Sequence, residues 1–164
     1  MGRDMTPAEW TKAIDKAVKD APEFFNQMAV TVGQWAVKIA KEICRDEHIS
    51  RSLHNSSGQY AAAFHSGTRA IRHGNAYKID VYNNLDYAKH LEYGFRSHFV
   101  PGYWIGSSFI YQPGFPGGMY VGPKGGFVPG HFVLTRACKE TKEDADVFVP
   151  ELCVRYLRDH GIIE

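Results

Sequence analysis

One stretch of thirty residues, 101–130, constrains the fold more than any other part of the chain. It holds nine of the 16 glycines and five of the 8 prolines, and its single charged residue is Lys124. Irregular segments of this length are uncommon in compact domains, where they are usually functional or disordered. We therefore expect residues 95–130 to form an extended loop or arm, and the flanking parts of the chain to build the body of the domain.

Seven aromatic residues argue against a disordered arm. They are Tyr103, Trp104, Phe109, Tyr111, Phe115, Tyr120 and Phe127. Disordered segments are poor in aromatics, and at ~25 cal/mol per Å2 the apolar area of the rings favours burial. The chain itself can cover them, or neighbouring subunits can. We favour the neighbours, because Tyr, Trp and Phe commonly anchor interfaces. A hairpin inside the arm, from Tyr103 to Phe127 with its turn at QPGFPGG, also fits the pattern.

Helical signals dominate residues 1–47. Thr6 and Glu9 form a capping box, and Pro7 occupies the first helical position between them. Apolar residues then recur at the spacing of an amphipathic helix, which we expect to end near Glu47.

A second possible helix start lies inside this region. Asp20 and Glu23 form another capping box around Pro22. Pro22 can stand in the first turn of a separate helix, or it can kink one continuous helix. Both arrangements remain open from the sequence.

A change of periodicity marks residues 66–94. Gly74 and Asn75 lie between two alternating runs, which is typical of an antiparallel hairpin. A polar connector at 48–58 and a short helix at QYAAAF precede it. After it, Asn83 can cap a second short helix, and Gly94 supplies the left-handed residue that commonly ends one.

Residues 131–164 return to helical periodicity. Pro150 separates two predicted helices, and Gly161 marks the end of the second. At 164 residues, the chain is long enough for one hydrophobic core, so we expect a single domain, 1–164. The predicted class is α+β, with a small antiparallel sheet built on the hairpin and packed with amphipathic N- and C-terminal helices.

The charge balance gives no global attraction for nucleic acid. The net charge is +1, so any contact with a polyanion must be local. The best local candidate is the hairpin, where Arg69, Arg72 and Lys78 can face DNA. No apolar run approaches the ~18 residues of a membrane span, and the start of the chain has no apolar signal core, so we expect a cytosolic product without a membrane partner.

The residues that usually carry chemistry do not form a recognisable constellation. The eight histidines include no HExxH or HxxxH pair, and the three cysteines include no CxxC. There is no GxSxG nucleophile elbow. The glycine-rich GMYVGPKGG fails as a phosphate loop because Pro123 has no backbone N–H to donate to phosphate and no Ser or Thr follows Lys124. We expect no cofactor, no metal and no catalysis.

A short pattern in the hairpin–helix region resembles a known family. It reads N-x-x-YA-x-x-x-E-x-G, with a second block around FVLTRA, and its residues are Asn84, Tyr87, Ala88, Glu92, Gly94, Pro129, Phe132 and Ala137. With the order of the surrounding elements, it resembles the neck or tail-completion family of long-tailed bacteriophages over roughly residues 35–140.

The resemblance implies a structural protein of the virion at the head–tail junction, assembled in the host cytoplasm. It implies a homo-oligomeric ring, with a hexamer favoured over a dodecamer, that joins the DNA-filled head to the tail. The partners implied are other neck, head-closure and tail proteins, with non-specific contact to packaged DNA. Within the motif, Glu92 would orient the loop through Arg96 or backbone amides, and Gly94 would permit a sharp exit.

A second hypothesis comes from a different class of protein. It is a nucleic-acid-binding module that uses the basic hairpin, and steep salt dependence of DNA binding by the monomer would favour it.

Overall fold

A computed structural model of the chain describes residues 5–49 and 58–164. In chain order its elements are α1 (Pro7–Asp46), α2 (Gln59–Ala62), β1 (Phe64–Ser66), β2 (Ile71–His73), β3 (Ala76–Lys78), β4 (Val81–Asn83), α3 (Ala88–Tyr93), β5 (Gly94–Arg96), β6 (His98–Ile105), β7 (Ser108–Tyr111), β8 (Gly118–Val121), β9 (Phe127–Pro129) and α4 (Val133–Asp159). Helices occur with small antiparallel sheets, so the predicted α+β class is confirmed.

Two compact units divide the described chain. The first combines residues 5–49, 58–84 and 133–164, and the second is Leu85–Phe132. Most of the predicted connector, residues 50–57, lies outside the described residues. The single-domain organisation of residues 1–164 stays a prediction.

Helix α1 begins and ends where the sequence predicts. The Thr6 backbone N–H donates to Glu9 Oε2 at 2.9 Å, and the Glu9 N–H donates to Thr6 Oγ1 at 3.3 Å, which completes the capping box. The helix runs without a break through Pro22 to its C-cap, Glu47. The alternative of a separate helix starting at Asp20 is therefore wrong.

Helix α4 is also continuous, so the prediction of two helices separated by Pro150 is wrong. Pro150 and Pro22 are both exposed, as are Asp146 and Val18, the residues one helical turn earlier whose carbonyls lose their donors. Water can satisfy these carbonyls, which explains why an exposed proline is tolerated inside each helix.

The end of α4 forms around Gly161, as predicted. The Gly161 N–H donates to the Arg158 carbonyl and the Ile162 N–H donates to the Leu157 carbonyl, both at 2.9 Å. With φ of +70° at Gly161, this is a Schellman motif.

Helices α1 and α4 pack antiparallel in the first unit. Trp35 Nε1 donates to Asp144 Oδ2 at 2.8 Å, and Arg136 Nη2 lies 2.6 Å from Glu47 Oε1. The hydrogen bond that Glu47 accepts raises the pKa of Arg136 above its usual range. The buried side of α1 includes Ala36, Ala40 and Cys44, whose small side chains allow close packing.

The predicted hairpin is confirmed as β2 and β3 with Gly74 and Asn75 at the turn. A second antiparallel pair joins β1 to β4. Asn83 ends β4, and its Nδ2 donates to the Tyr60 carbonyl at 2.8 Å. The prediction that Asn83 caps the next helix is therefore wrong, since α3 has Tyr87 at its N-cap.

The second unit differs most from the sequence-based expectation. Residues 95–130, expected to form an extended loop or arm, contain strands, and β6 pairs with β7 on one side and β8 on the other. Gly106 and Ser107 form the turn between β6 and β7. The predicted hairpin turn at QPGFPGG is wrong, because that sequence connects β7 and β8, which pair with opposite edges of β6.

Candidate functional site

The first half of the family motif lies on α3 and its exit. Tyr87 is the N-cap residue, Ala88 is the first helical residue, and the side chain of Glu92 is buried. Gly94 ends the helix with φ of +82° and ψ of 179°, a combination that is essentially restricted to glycine. The prediction of a left-handed residue at Gly94 is therefore right in the sign of φ and wrong in ψ, which differs by more than about 100° from that of a left-handed helix.

The second half of the motif returns to the same place. Gly94 pairs with Pro129 in the ladder between β5 and β9. The His131 N–H donates to the Leu91 carbonyl at 2.7 Å, and the Phe132 N–H donates to the Glu92 carbonyl at 3.0 Å. These contacts close the base of the second unit.

Close backbone contacts at this base leave no room for a side chain at Gly94 or Gly130. A Cβ atom at Gly94 would lie 2.7 Å from Phe127 Cζ, and one at Gly130 would overlap the Glu92 carbonyl oxygen. Phe132 follows with φ of +52°, which is strained for an aromatic residue.

Four motif residues, Glu92, Gly94, Pro129 and Phe132, thus meet in one place. Asn84 and Ala137 belong to the first unit, where the Asn84 N–H donates to the Ala63 carbonyl at 3.4 Å and Ala137 is fully buried in α4. Arg96 is exposed, and within the described part of the chain it forms no ion pair with Glu92.

Glycine–phenylalanine contacts recur through the second unit. Phe127 covers Gly94, Phe109 covers Gly102 and Phe99 covers Gly118, each from a diagonal position on the neighbouring strand. A ring that lies over a glycine shields the backbone where no side chain is present. These pairs explain part of the segment's unusual composition.

The predicted interface rings nevertheless remain largely exposed. Trp104 packs edge-on against Phe109 with ring centroids 5.3 Å apart, and Tyr103 lies 5.3 Å from Phe115. Even so, Trp104 is 51% exposed and Tyr111 is 63% exposed. The exposed rings among the seven are Tyr103, Trp104, Tyr111, Tyr120 and Phe127.

Both faces of the sheet carry such rings. Side chains alternate along a strand, so Phe99 and Trp104, five residues apart in β6, point to opposite faces. Phe99 contacts its cross-strand partner Tyr120, with ring centroids 5.4 Å apart. The sheet therefore presents aromatic surface in two directions.

The basic hairpin does not gather its cations on one face. Arg72 pairs across the hairpin with Tyr77, and Lys78 pairs with Ile71, so Arg72 and Lys78 point to opposite faces. Arg72 Nε also donates to the Gly74 carbonyl at 3.0 Å. Arg69 is exposed just before β2.

Neither a metal cluster nor a membrane span is found in the part of the chain that the structure describes. No group of three His, Cys, Asp or Glu side chains there could hold an ion. Within the same residues, no helix is both long and apolar enough to cross a bilayer.

Sequence reasoning missed Phe99, Gly102 and Gly118. The sequence showed that this segment is rich in glycine and aromatic residues. Which ring covers which glycine depends on the strand register, which the sequence did not show. The alternation of Tyr103 and Ile105 in β6 was a weak strand signal that the surrounding glycines obscured.

A family model described as "Bacteriophage HK97-gp10, putative tail-component" matches residues 5–94. This is more than half of the chain, and it includes the first block of the motif. The searches of curated proteins and of solved structures each found no match.

The matched family defines the class of protein: a structural component of a bacteriophage tail, and therefore of the virion. More particularly, the chain belongs to the HK97-gp10-like family. The resemblance to a phage neck or tail-completion family, which was based on the motif, is confirmed as membership of a phage tail family. A tail component has a structural role and works with other phage structural proteins.

Proposed function

We propose that this chain acts at the head–tail junction as a tail-completion protein, where copies assemble into a ring that joins the DNA-filled head to the tail. A hexamer is favoured over a dodecamer. The adjoining partners are neck, head-closure and tail proteins of the same phage. The observation that carries this proposal is the exposed aromatic sheet of the second unit in a member of a phage tail family.

Covering these rings contributes apolar free energy comparable in size to the cost of association. Burying roughly 100 Å2 of a half-exposed ring contributes ~2.5 kcal/mol at ~25 cal/mol per Å2. Several rings together can offset the cost of association, which is ~4–15 kcal/mol. Exposed aromatic area of this kind marks an interaction surface.

The arrangement of the rings on two faces supports a ring rather than a dimer. A two-fold dimer uses the same patch on both subunits, whereas each subunit of a ring contacts two neighbours through different patches. Trp104 and Phe109 on one face, and Phe99 and Tyr120 on the other, provide two such patches.

The test replaces a sheet ring and leaves the fold intact. Tyr111→Ser removes an exposed ring from β7, and Tyr82→Ser removes an exposed ring from β4 as the matched control. We expect Tyr111→Ser to lower the assembly mass in light scattering, and to leave DNA-filled heads and free tails unjoined when it complements a phage lacking the protein. The control should assemble and join normally.

Normal joining by Tyr111→Ser, and by a Trp104→Ser, Tyr111→Ser double variant, would overturn the assigned interface. A purified protein that stays monomeric at all concentrations, and whose absence leaves heads joined to tails, would overturn the function itself.

A further inference from the structure

A row of exposed polar side chains, most of whose charges are positive, runs along one side of α1. Steps of three or four residues return to the same side of a helix, so such a row lies on one side. Its members, all exposed, are Glu9, Lys12, Lys16, Lys19, Glu23, Gln27, Thr31, Gln34, Lys38, Lys41 and Arg45. This basic row carries six cations and two acids, whereas the whole chain has a net charge of +1.

The two acids of the basic row are engaged in local contacts. Glu9 Oε2 accepts a hydrogen bond from Thr6 Oγ1 at 2.8 Å, as part of the helix cap. Glu23 Oε1 accepts one from Gln27 Nε2 at 3.0 Å. Glu23 belongs to none of the ion pairs of the described residues.

Most of the cations remain available to a partner. Arg45 Nε lies 3.0 Å from Asp46 Oδ1, in a pair that is itself exposed. Lys38 Nζ lies 4.4 Å from the centre of the Trp35 ring, which leaves its charge in place. The other four, Lys12, Lys16, Lys19 and Lys41, belong to none of the ion pairs of residues 5–49 and 58–164.

The cations form two triplets with a defined separation. The first is Lys12, Lys16 and Lys19, and the second is Lys38, Lys41 and Arg45, which line a shallow groove together with one acid, Glu42. From Lys16 to Lys41 the helix rises by about 38 Å, at about 1.5 Å per residue. One turn of duplex DNA is ~34–36 Å, so a duplex lying along α1 offers the same strand to both triplets.

We propose that the basic row binds the phosphate backbone of duplex DNA, one triplet on each of two successive turns, without reading its sequence. The proposal rests on the proposed function, because DNA crosses the head–tail junction. Lysine and arginine that neutralise phosphates release counterions and give sequence-independent, salt-sensitive binding. The hairpin is a poorer surface for this purpose, since Arg72 and Lys78 point apart.

The experiment measures DNA affinity of the full chain against salt. A labelled duplex of about 40 base pairs and mixed sequence is titrated between about 50 and 200 mM salt, and log K is plotted against log salt concentration. Two triple variants, K12Q/K16Q/K19Q and K38Q/K41Q/R45Q, should each reduce the slope by about 2–3, at ~0.9 for each phosphate that is no longer neutralised. Glutamine keeps helix propensity, and circular dichroism checks the fold.

The matched control is the hairpin triple variant R69Q/R72Q/K78Q, which removes the same charge from another surface. We expect it to keep the wild-type slope. The proposal would be overturned if the control reduced the salt slope as much as the α1 variants do, or if both α1 variants kept the wild-type slope. So would binding to phosphatidylglycerol vesicles without binding to DNA.

DNA length tests the two-turn arrangement separately. A DNA hairpin with a stem of about 8 base pairs is ~27 Å long and reaches one triplet only. Its slope should be about half that of the long duplex, and equal slopes would contradict the arrangement. Ring formation is followed by light scattering of the same variants, so loss of DNA binding with normal assembly refutes neither the ring nor the sheet interface.

Discussion

The hydroxyl group of Tyr156 donates a hydrogen bond of 2.6 Å to the backbone carbonyl of Ala17, and so links α4 to α1. The Tyr156 ring also stacks on Phe24, with centroids 4.2 Å apart. Burial, together with the nearby negative charge of Asp20, raises the pKa of Tyr156 above its usual 10.0. One residue thus combines apolar packing with a polar contact that depends on its proton.

Removing only this hydroxyl should weaken the pairing of the two helices. Tyr156→Phe keeps the stacking and loses the hydrogen bond, so we expect a loss of ~1 kcal/mol in the free energy of unfolding at neutral pH. The folded state holds the phenol proton more tightly than the unfolded state. The contribution is therefore complete below about pH 10 and is lost as pH rises through the folded pKa.

Denaturant unfolding of both proteins from neutral pH to about pH 11 checks this prediction. The difference between wild type and Tyr156→Phe should shrink as pH rises. A difference that is constant with pH would contradict the role of the hydroxyl proton.

Crowding at Gly94 should make even a methyl group costly. We compare Gly94→Ala with Gly114→Ala, because both glycines have positive φ but only Gly94 has atoms within 4 Å of an added Cβ. The control should cost ~1 kcal/mol from backbone strain alone. Gly94→Ala should cost ~2 kcal/mol more, because the methyl group meets the Val128 carbonyl and Phe127 and because the φ and ψ of Gly94 are essentially restricted to glycine. Thermal unfolding distinguishes the two, and equal losses would exclude crowding.

Phe132 should be better replaced by glycine than by alanine. Both substitutions remove the ring and its contact with Tyr93, but only glycine relaxes φ of +52°. We expect Phe132→Gly to be more stable than Phe132→Ala by ~1 kcal/mol. Chemical denaturation measures this difference, and an advantage for alanine would show that the backbone is not strained there.

Pro150 should be replaceable with a gain in stability. In one continuous helix, Pro150→Ala restores an N–H for the Asp146 carbonyl, and we expect a gain of ~1–3 kcal/mol. Pro22→Ala is the corresponding change in α1 and should act in the same direction. Calorimetry tests both, and a loss of stability in Pro150→Ala would indicate that the proline separates two helices.

The sequence predicted features that depend on adjacent residues. The cap at Thr6, the turn at Gly74 and Asn75, and the stop at Gly161 each arise from a few neighbouring residues, and all three form as expected. The effect of Pro22 and Pro150 could not be predicted from their neighbouring residues. Whether a proline breaks a helix depends on which side of the helix faces water, which is decided by packing.

The strands of the second unit could not be predicted from neighbouring residues because they depend on contacts between strands. Gly102 interrupts the apolar alternation of β6, and its neighbour on the next strand, Phe109, supplies the missing cover. Similarly, the Glu92 carbonyl accepts its hydrogen bond from the backbone N–H of Phe132, forty residues away. The motif residues could be named from the sequence, but the pairing of Gly94 with Pro129 and the hydrogen bond from Phe132 to Glu92 required the fold.

The closed base at Gly94 and Pro129 has a consequence for how such proteins diversify. The family match stops at residue 94, where the paired strands begin. Since the two ends of the following segment are fastened to each other, its length and sequence can vary with little entropic penalty to the rest of the chain. We therefore expect residues 95–129 to behave as an exchangeable cassette, whose length and sequence can change without unfolding the helices of the first unit.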